Sequence, residues 1–280
     1  MKFLPRALLD AGPITANFLI KLFFQHRLIL SFIKRDLATR YLGSTLGVLW
    51  AVIHPLVLLI SYTFIFTILF RPEEAGGRYS EHFVLYLFAG LLPWLYFQDT
   101  VQRSATTLVE HSNLIRRTVF PSEILPVVIA GSNIVTHLIG VGLLVVVLYF
   151  FHGLSWHLLL VPVFLVLLVV WSLGLAWLAA ALTVFVRDTS QFLIVLLILG
   201  FWFTPIFYRI EHVEERLPRL AFFLKLNPMT SLVKSYQDLL VSHQLPDLWM
   251  PLALTGFAVV SLMVGGIVFR VLKREFVDVL

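Results

Sequence analysis

The sequence predicts an all-α integral membrane protein with six transmembrane helices and an N-terminal amphipathic helix. Apolar residues make up 59% of the 280 residues, charged residues make up only 13%, and the mean hydropathy is +0.92. Ordinary soluble domains carry roughly 25% charged residues. The chain therefore lacks the polar surface that a water-soluble globule needs, and its uncharged runs are long enough to cross a bilayer.

The spans follow from segments that meet or approach the length of about 20 residues that a bilayer core requires. The stretch Ile124–Val186 carries no formal charge and is too long for one span, so it divides into two at the turn formed by residues 152–157. His54 and Pro55 predict a kink in the first span. The six spans are Leu46–Phe70, the uncharged run Phe83–Phe97 that extends as a helix toward Thr107, the two halves of Ile124–Val186, Thr189–Tyr208 and Leu248–Phe269.

Residues 14–42 precede the first span and predict a helix that is too charged to cross the membrane. Its apolar side chains form one stripe, with Arg27 and Lys34 roughly opposite, which is typical of a helix that lies in the membrane interface. A cytosolic segment that only anchors the first span is the alternative. The stripe contains Phe18, Leu22, Ile29, Ile33 and Leu37.

The basic residues predict the orientation, since Lys and Arg accumulate on the cytoplasmic side of membrane proteins. Fourteen of the 21 Lys and Arg residues fall on the side that carries both termini. Both termini are therefore predicted to be cytoplasmic, and the net charge of +5 reflects topology rather than a nucleic-acid partner. The chain is predicted to be one domain, with an interfacial region at 1–43, a six-span bundle at 44–271 and a cytosolic tail at 272–280.

The connection between the second and third spans carries apolar residues where the chain should face the cytosol. Leu114, Ile115, Val119 and Phe120 surround the pair Arg116 and Arg117. Pro121 is predicted to open the next helix, with Glu123 in its first turn. Such a segment suits docking onto a cytosolic partner. Anchoring of the chain by apolar residues that dip into lipid is an equally good interpretation.

The external stretch 209–247 is too long for a simple connection. Asn227 and Pro228 predict the start of an amphipathic helix, because the apolar residues that follow recur with helical spacing. This helix could lie on the outer leaflet or fold back as a lid. The apolar residues are Met229, Leu232, Val233, Tyr236, Leu239 and Leu240.

Aromatic residues cluster at two points of the predicted spans. Trp202, Phe203 and Tyr208 surround Pro205, which breaks the fifth span, and Trp94, Tyr96 and Phe97 follow Pro93 in the second. An interfacial aromatic belt is one interpretation. The other is a transport path for a glycan, because aromatic rings pack against the apolar faces of sugars.

Few polar residues occur in the spans, and no motif for enzyme chemistry is present. Asp99 and Arg103 are four residues apart, which predicts either an ion pair within one helix or a polar site facing a pore. His54 and His137 are expected to be hydrogen-bonded between helices. The sequence contains no phosphate-binding loop and no metal-binding spacing, so neither ATP nor a metal is expected on this chain.

The order of several short motifs resembles the transmembrane permeases of bacterial polysaccharide ABC exporters, of which O-antigen and wall teichoic acid permeases are the nearest types. The resemblance runs from about residue 30 to the C-terminus. Asp99, where a smaller polar residue is expected, and the longer N-terminal lead depart from the family pattern. The motifs include Lys34-Arg35-Asp36-Leu37 with Arg40-Tyr41, Leu46-Gly47 with Trp50, Pro93-Trp94, residues 113–126, Arg187-Asp188, residues 202–205 and Asn227-Pro228.

The resemblance implies that two copies form a twelve-helix channel in the bacterial inner membrane, with two separate ATPase subunits that bind ATP and Mg²⁺. A lipid-linked polysaccharide would enter from the cytoplasm and leave outward on ATP hydrolysis. Export of teichoic acid or of a small molecule is the alternative within the class. A secondary transporter would be expected to show paired intramembrane charges or broken helices in two similar halves, and the sequence indicates neither.

The resemblance also assigns roles to particular residues. Residues 110–123 correspond to the coupling helix, residues 14–42 to the interface helix and residues 209–247 to external gate helices between spans five and six. The coupling residues are Leu114, Ile115, Arg116, Arg117, Phe120, Pro121 and Glu123. The interface-helix residues are Lys34, Arg35, Asp36 and Arg40, and the gate residues are Asn227, Pro228 and Tyr236.

Overall fold

The computed structural model describes Leu22 and residues 24–40, 44–65, 83–117, 120–208 and 210–280. Within these residues all regular structure is helical, which confirms the all-α part of the prediction. The helices are α1 His26–Arg40, α2 Trp50–Phe64, α3 Phe83–Glu110, α4 Ser112–Arg117, α5 Ile124–Phe151, α6 Val161–Phe185, α7 Thr189–Trp202, α8 Ile210–Arg216, α9 Pro218–Leu226, α10 Pro228–Gln237, α11 Trp249–Leu272 and α12 Phe276–Val279. Short 3₁₀ turns cover Gly47–Leu49, Trp156–Leu160 and Lys273–Glu275, and a π turn covers Asp238–Ser242.

Four of these helical segments are long and apolar enough to cross a membrane. They are α3, α5, α6 with its preceding 3₁₀ turn, and α11 with its following turns. The predicted division of Ile124–Val186 is confirmed, because α5 ends at Phe151 and α6 begins at Val161. The first predicted span is described only as α2, and its continuation beyond Ile65 lies outside the described residues.

The fifth predicted span is shorter than expected. Helix α7 has 14 residues, or about 21 Å at 1.5 Å per residue, and it ends at Trp202 rather than at Tyr208. Proline weakens a helix because it lacks a backbone N–H and its ring crowds the preceding turn, and Pro205 follows only three residues later. The Thr204 hydroxyl donates to the Gly200 carbonyl (2.7 Å) at this helix end.

Two apolar clusters stabilise the bundle, a larger one along most of its length and a smaller one at one end. The larger one joins α3, α6 and α10 and contains Trp94 and Trp171. The smaller one joins the end of α3, the start of α5, and the ends of α6 and α11, and its largest members are Trp177, Phe269 and Phe276. The segment predicted to face the cytosol and the C-terminal tail therefore lie at the same end.

Helices α6 and α11 cross at a pair of glycines. A Cβ atom added to Gly265 would lie 1.9 Å from the Gly174 carbonyl oxygen, and one added to Gly174 would lie 2.3 Å from the Ser261 backbone. No larger residue fits at this distance, so the two glycines allow the helix backbones to touch, as small residues do in membrane bundles.

Helix α10 does not lie on the membrane surface, as one interpretation of its sequence suggested. It packs inside the bundle against α3, and eight of its ten residues are buried. Its buried polar side chains include small hydroxyls, and the Ser235 hydroxyl donates to the Ser231 carbonyl (2.7 Å). This bond lowers the cost of burying Ser235, whereas the buried Thr230 hydroxyl has no hydrogen-bonding partner among the described residues.

Candidate functional site

The predicted coupling segment forms a short helix with distinct inner and outer sides. Ile115 is buried in the smaller cluster, and Leu114 and Phe120 are partly buried. Arg116 and Arg117 are exposed. Val119 lies outside the described residues. The segment is therefore held to the bundle by its apolar residues and presents its cations outward.

Glu123 and Pro121 differ from prediction. The helix begins at Ile124, three residues after Pro121, because residues 121–123 form a turn in which the Ile124 amide donates to the Pro121 carbonyl (3.0 Å). The Glu123 side chain is buried and forms an ion pair with Lys273 near the C-terminus. Its backbone carbonyl accepts from the Trp177 indole (3.0 Å). Glu123 therefore fixes the segment to the bundle rather than facing a partner.

A polar cluster joins α1 to α3 and α5. Asp36 accepts hydrogen bonds from Arg40 Nε (3.0 Å) and from Arg103 Nη2 (2.7 Å). Arg40 also donates to Asn133 Oδ1 (2.5 Å). Asp99 lies farther away, 3.8 Å from Arg103 and 3.9 Å from Arg40. Arg103 therefore makes its shorter contact with Asp36 of α1. The predicted Asp99–Arg103 pair within α3 is one part of a cluster that spans three helices.

The four predicted interface-helix residues divide into two pairs. Asp36 and Arg40 point into the polar cluster, whereas Lys34 and Arg35 are exposed. Arg35 lines a cavity of about 500 Å³ between α1 and the end of α3, together with Arg103 and His111. The cavity also reaches Leu114, so α1 and the coupling segment border the same space.

The predicted aromatic path consists of two structurally different groups. Trp94, Tyr96 and Phe97 are buried, whereas Trp202 and Phe203 are 64% and 54% exposed. Tyr208 is partly exposed, and its hydroxyl donates to the Trp202 carbonyl (3.2 Å). The three exit aromatics therefore lie near the end of α7 and differ from the second-span group in burial, and Phe201 contacts both Trp94 and Trp202.

The second-span group borders an apolar cavity. The Phe97 ring stacks on Trp171 at 4.5 Å with an interplanar angle of 4°, and Trp94 lies 5.6 Å from Phe201. Trp94, Phe97 and Trp171 line a cavity of about 340 Å³ between α3, α6 and α7. Tyr96 does not line it, because its hydroxyl donates to the Ala130 carbonyl (3.2 Å) on α5.

The three predicted gate residues begin and anchor α10. The Asn227 side chain accepts from the Met229 amide (3.0 Å) and donates to the Thr204 hydroxyl (3.2 Å), and Pro228 occupies the first helical position. The Tyr236 hydroxyl bonds to His137 Nε2 (3.0 Å).

The predicted hydrogen bonding of the two span histidines holds for one of them. His137 Nδ1 pairs with the Leu92 carbonyl (3.3 Å), so this residue bridges α3, α5 and α10. His54 is exposed on α2, and its ring lies 5.5 Å from Trp50 of the same helix. Among the described residues, His54 has no hydrogen bond to another helix. The helical spacing of α2 turns this side chain outward.

Several residues of these sites could not be found from sequence. Lys273, Asn133 and Trp171 pair with residues far away in the chain, and no local pattern marks them. Lys273 lies 150 positions from Glu123, and Asn133 lies 93 positions from Arg40. Only the tertiary packing brings these pairs together.

Comparisons with known proteins give consistent matches. A family model described as ABC-2 type transporter matches residues 27–241. The O-antigen export system permease protein RfbA of Myxococcus xanthus is 30% identical over 262 residues, which cover 93% of this chain and 98% of that protein. A protein of the same name from Klebsiella pneumoniae is 28% identical over 255 residues, covering 88% of this chain and 92% of its own length.

Proposed function

Because the chain belongs to the ABC-2 type transporter family, we propose that it is the membrane subunit of an ATP-driven exporter of a lipid-linked polysaccharide of the O-antigen type. We infer the substrate class from the similarity to O-antigen export permeases, which extends along nearly their whole length. The subunit lies in the bacterial inner membrane with both termini in the cytoplasm, as the distribution of basic residues predicts.

The working transporter contains two copies of this chain and two ATPase subunits. ATP and Mg²⁺ bind to the ATPase subunits, because this chain carries no phosphate-binding loop. One chain has too few helices to enclose a path for a polymer, so the path lies between two copies. The six-span arrangement places α2 and α7 as the two shorter spans of each copy.

The ATPase subunits act on the membrane domain through the coupling segment, residues 110–123. Its exposed cations Arg116 and Arg117 contact the ATPase, while Ile115 and Glu123 tie the segment to the bundle. Because α4 lies directly between α3 and α5, a displacement of the segment moves both helices. The Asp36–Arg103 contact moves α1 with them.

The glycan passes the exposed aromatic residues at the end of α7, where sugar rings stack on Trp202, Phe203 or Tyr208. Aromatic stacking is weak and does not depend on one sugar sequence, which suits a substrate that must keep moving. The Asn227 contact to Thr204 joins this exit to the start of α10, so the helix predicted to be the gate is attached to the exit.

Export of a small apolar molecule is the second candidate. The cavity beside Trp94 and Phe97 favours it, because its lining is mostly apolar side chains, with Thr189 and Asn227 as the polar exceptions. Such a cavity suits a hydrocarbon group better than a sugar chain.

Complementation distinguishes the two candidates. The chain and its own ATPase subunit are expressed in a strain that makes lipid-linked O-antigen but lacks the permease, and surface polysaccharide is measured. We expect restored surface polysaccharide, and loss of it in the Arg116→Glu/Arg117→Glu variant at normal membrane abundance. If the strain gained resistance to apolar compounds but produced no surface polysaccharide, the second candidate would be favoured.

A further inference from the structure

A cleft separates the coupling segment from the C-terminal tail at the end of the bundle where the smaller apolar cluster lies. Its volume is about 420 Å³. One wall is formed by Arg116, Arg117 and Phe120, and the other by Phe276 and Val277. The tail therefore borders the same surface that the proposed function assigns to the ATPase subunit.

The tail has a fixed position on this surface. The Phe276 side chain is buried and contacts Phe269 with ring centroids 5.3 Å apart. Lys273 pairs with Glu123, which is the last residue of the coupling segment. Two independent anchors thus hold the tail beside the segment, and they leave Val277, 54% exposed, at the edge of the cleft.

The free charge of the cleft is positive. Glu123 neutralises Lys273. Within the residues that the structure describes, no carboxylate lies at ion-pair distance from Arg116 or Arg117. A partner that enters this cleft gains most if it brings a carboxylate to the two guanidinium groups, since arginine pairs with carboxylates through two parallel hydrogen bonds.

The cleft also contains a buried polar group without a hydrogen bond. Ser122 lines it and is 1% exposed, and within the described residues its hydroxyl has no hydrogen-bonding partner. Most buried polar groups in folded proteins are paired. Because this hydroxyl has almost no exposed surface, it can bond to a partner only if the wall of the cleft shifts, and the nature of the occupant follows from the two arginines instead.

We propose that the C-terminal tail is the second half of the ATPase-docking surface, and that the cleft receives an acidic segment of the ATPase subunit flanked by apolar side chains. The carboxylate lies between Arg116 and Arg117, and its apolar neighbours pack on Phe120 and Val277. Charge complementarity and continuity with the coupling segment support this occupant. The proposal rests on the proposed function, because it assumes that the coupling segment contacts an ATPase.

Substitutions in the tail test the proposal. Val277→Glu places a carboxylate at the edge of the cleft, where it repels an acidic segment. Val279→Glu is the matched control, because Val279 is 44% exposed on the same short helix but does not line the cleft. Val277→Lys controls for size, since it adds a long side chain of opposite charge.

Binding of the purified ATPase subunit to the permease in lipid nanodiscs is titrated for each variant, and thermal unfolding of the permease is measured in parallel. We expect Val277→Glu to weaken binding by about tenfold or more. Val279→Glu should remain within about twofold of the native protein. Val277→Lys removes the same apolar contact but attracts an acidic segment, so it should weaken binding less than Val277→Glu does. All variants should unfold at the native temperature.

The outcomes separate this inference from the proposed function. If Arg116→Glu/Arg117→Glu abolishes binding and Val277→Glu binds normally, the tail is not part of the docking surface and the proposed function survives. If none of the variants weakens binding, the segment does not dock and both proposals fail. Equal weakening by all three tail variants would show a general effect of the tail and would overturn the acidic-partner proposal.

Discussion

At the scale of single residues, Tyr236 and His137 carry the hydrogen bond that joins the buried helix α10 to α5. In Tyr236→Phe, the buried imidazole nitrogen loses its partner, which costs about 1–3 kcal/mol of stability. Thermal unfolding in detergent measures the effect. Tyr208→Phe is the control, because its bond to the Trp202 carbonyl is exposed and its loss should change little. Equal stability of the two variants would show that the buried bond contributes nothing.

The aromatic residues should divide according to their burial. Trp94→Ala removes a buried ring from the larger cluster and should cost about 3–5 kcal/mol. Trp202→Ala and Phe203→Ala remove exposed rings and should leave the unfolding temperature nearly unchanged.

A helix end cannot direct every ring into one path, so at least one of Trp202→Ala, Phe203→Ala and Tyr208→Ala should severely reduce surface polysaccharide and at least one should leave it unchanged. Normal export by all three variants would indicate that these residues form an interfacial aromatic belt instead.

Asp238 predicts a dependence of stability on pH. Burial raises the pKa of Asp238 to about 6, and the nearby Lys234 partly opposes this rise. Because its pKa in the folded state exceeds that in the unfolded state, folding disfavours the carboxylate. This group therefore destabilises the fold above pH 6, and the penalty disappears as the pH falls towards the unfolded value. Asp238→Asn should unfold at a higher temperature than the native protein at pH 7.5, and the difference should shrink at pH 5. A constant difference at both values would contradict the assignment.

At the scale of helices, the crossing of α6 and α11 depends on Gly174 and Gly265. Gly265→Ala places a methyl group against the Gly174 backbone, which cannot move aside, so the helices must separate. We expect little folded protein in the membrane. Gly266→Ala is the adjacent control, since an added Cβ there meets no atom within 4 Å. Similar yields of the two variants, measured by size-exclusion chromatography in detergent, would argue against the close crossing.

The sequence predicts the positions of most long helices better than it predicts how they pack. Apolar length located α3, α5, α6 and α11, because a bilayer imposes one length on every span. The amphipathic pattern of α10 predicts a helix that begins after Asn227, but it does not decide between the outer leaflet and a helix that folds back; the structure buries it in the bundle. Periodicity identifies an apolar face and cannot show that the opposite face, made of small hydroxyl side chains, is also buried.

The sites were predictable to a lesser degree, because they depend on distant pairs. Arg116 and Arg117 are exposed, as a docking role requires. The Glu123 side chain is buried and pairs with Lys273, which is distant in sequence and adjacent in the fold. Asp36 and Arg40 were named from short motifs, but their contacts to Arg103 and Asn133 required the structure.

At the scale of the whole molecule, the membrane topology can be tested by labelling single introduced cysteines, because the chain has no native cysteine. Single cysteines at Ser112 and Ser242 test opposite ends of the bundle; Ser80, a third external position, lies outside the described residues. With an impermeant maleimide applied to intact cells, the Ser242 variant should react and the Ser112 variant should react only after the cells are opened. Labelling of the Ser112 variant in intact cells would invert the predicted orientation.

The central claim is that ATP hydrolysis by a partner subunit drives a lipid-linked polysaccharide across the membrane through this chain. Inverted membrane vesicles that contain the permease and its ATPase subunit test it most directly, with a radiolabelled lipid-linked polysaccharide in the outer leaflet. We predict that ATP protects the glycan from added glycosidase, and that Arg116→Glu/Arg117→Glu vesicles give no protection. Protection without ATP, or equal protection in vesicles that lack the permease, would contradict the claim.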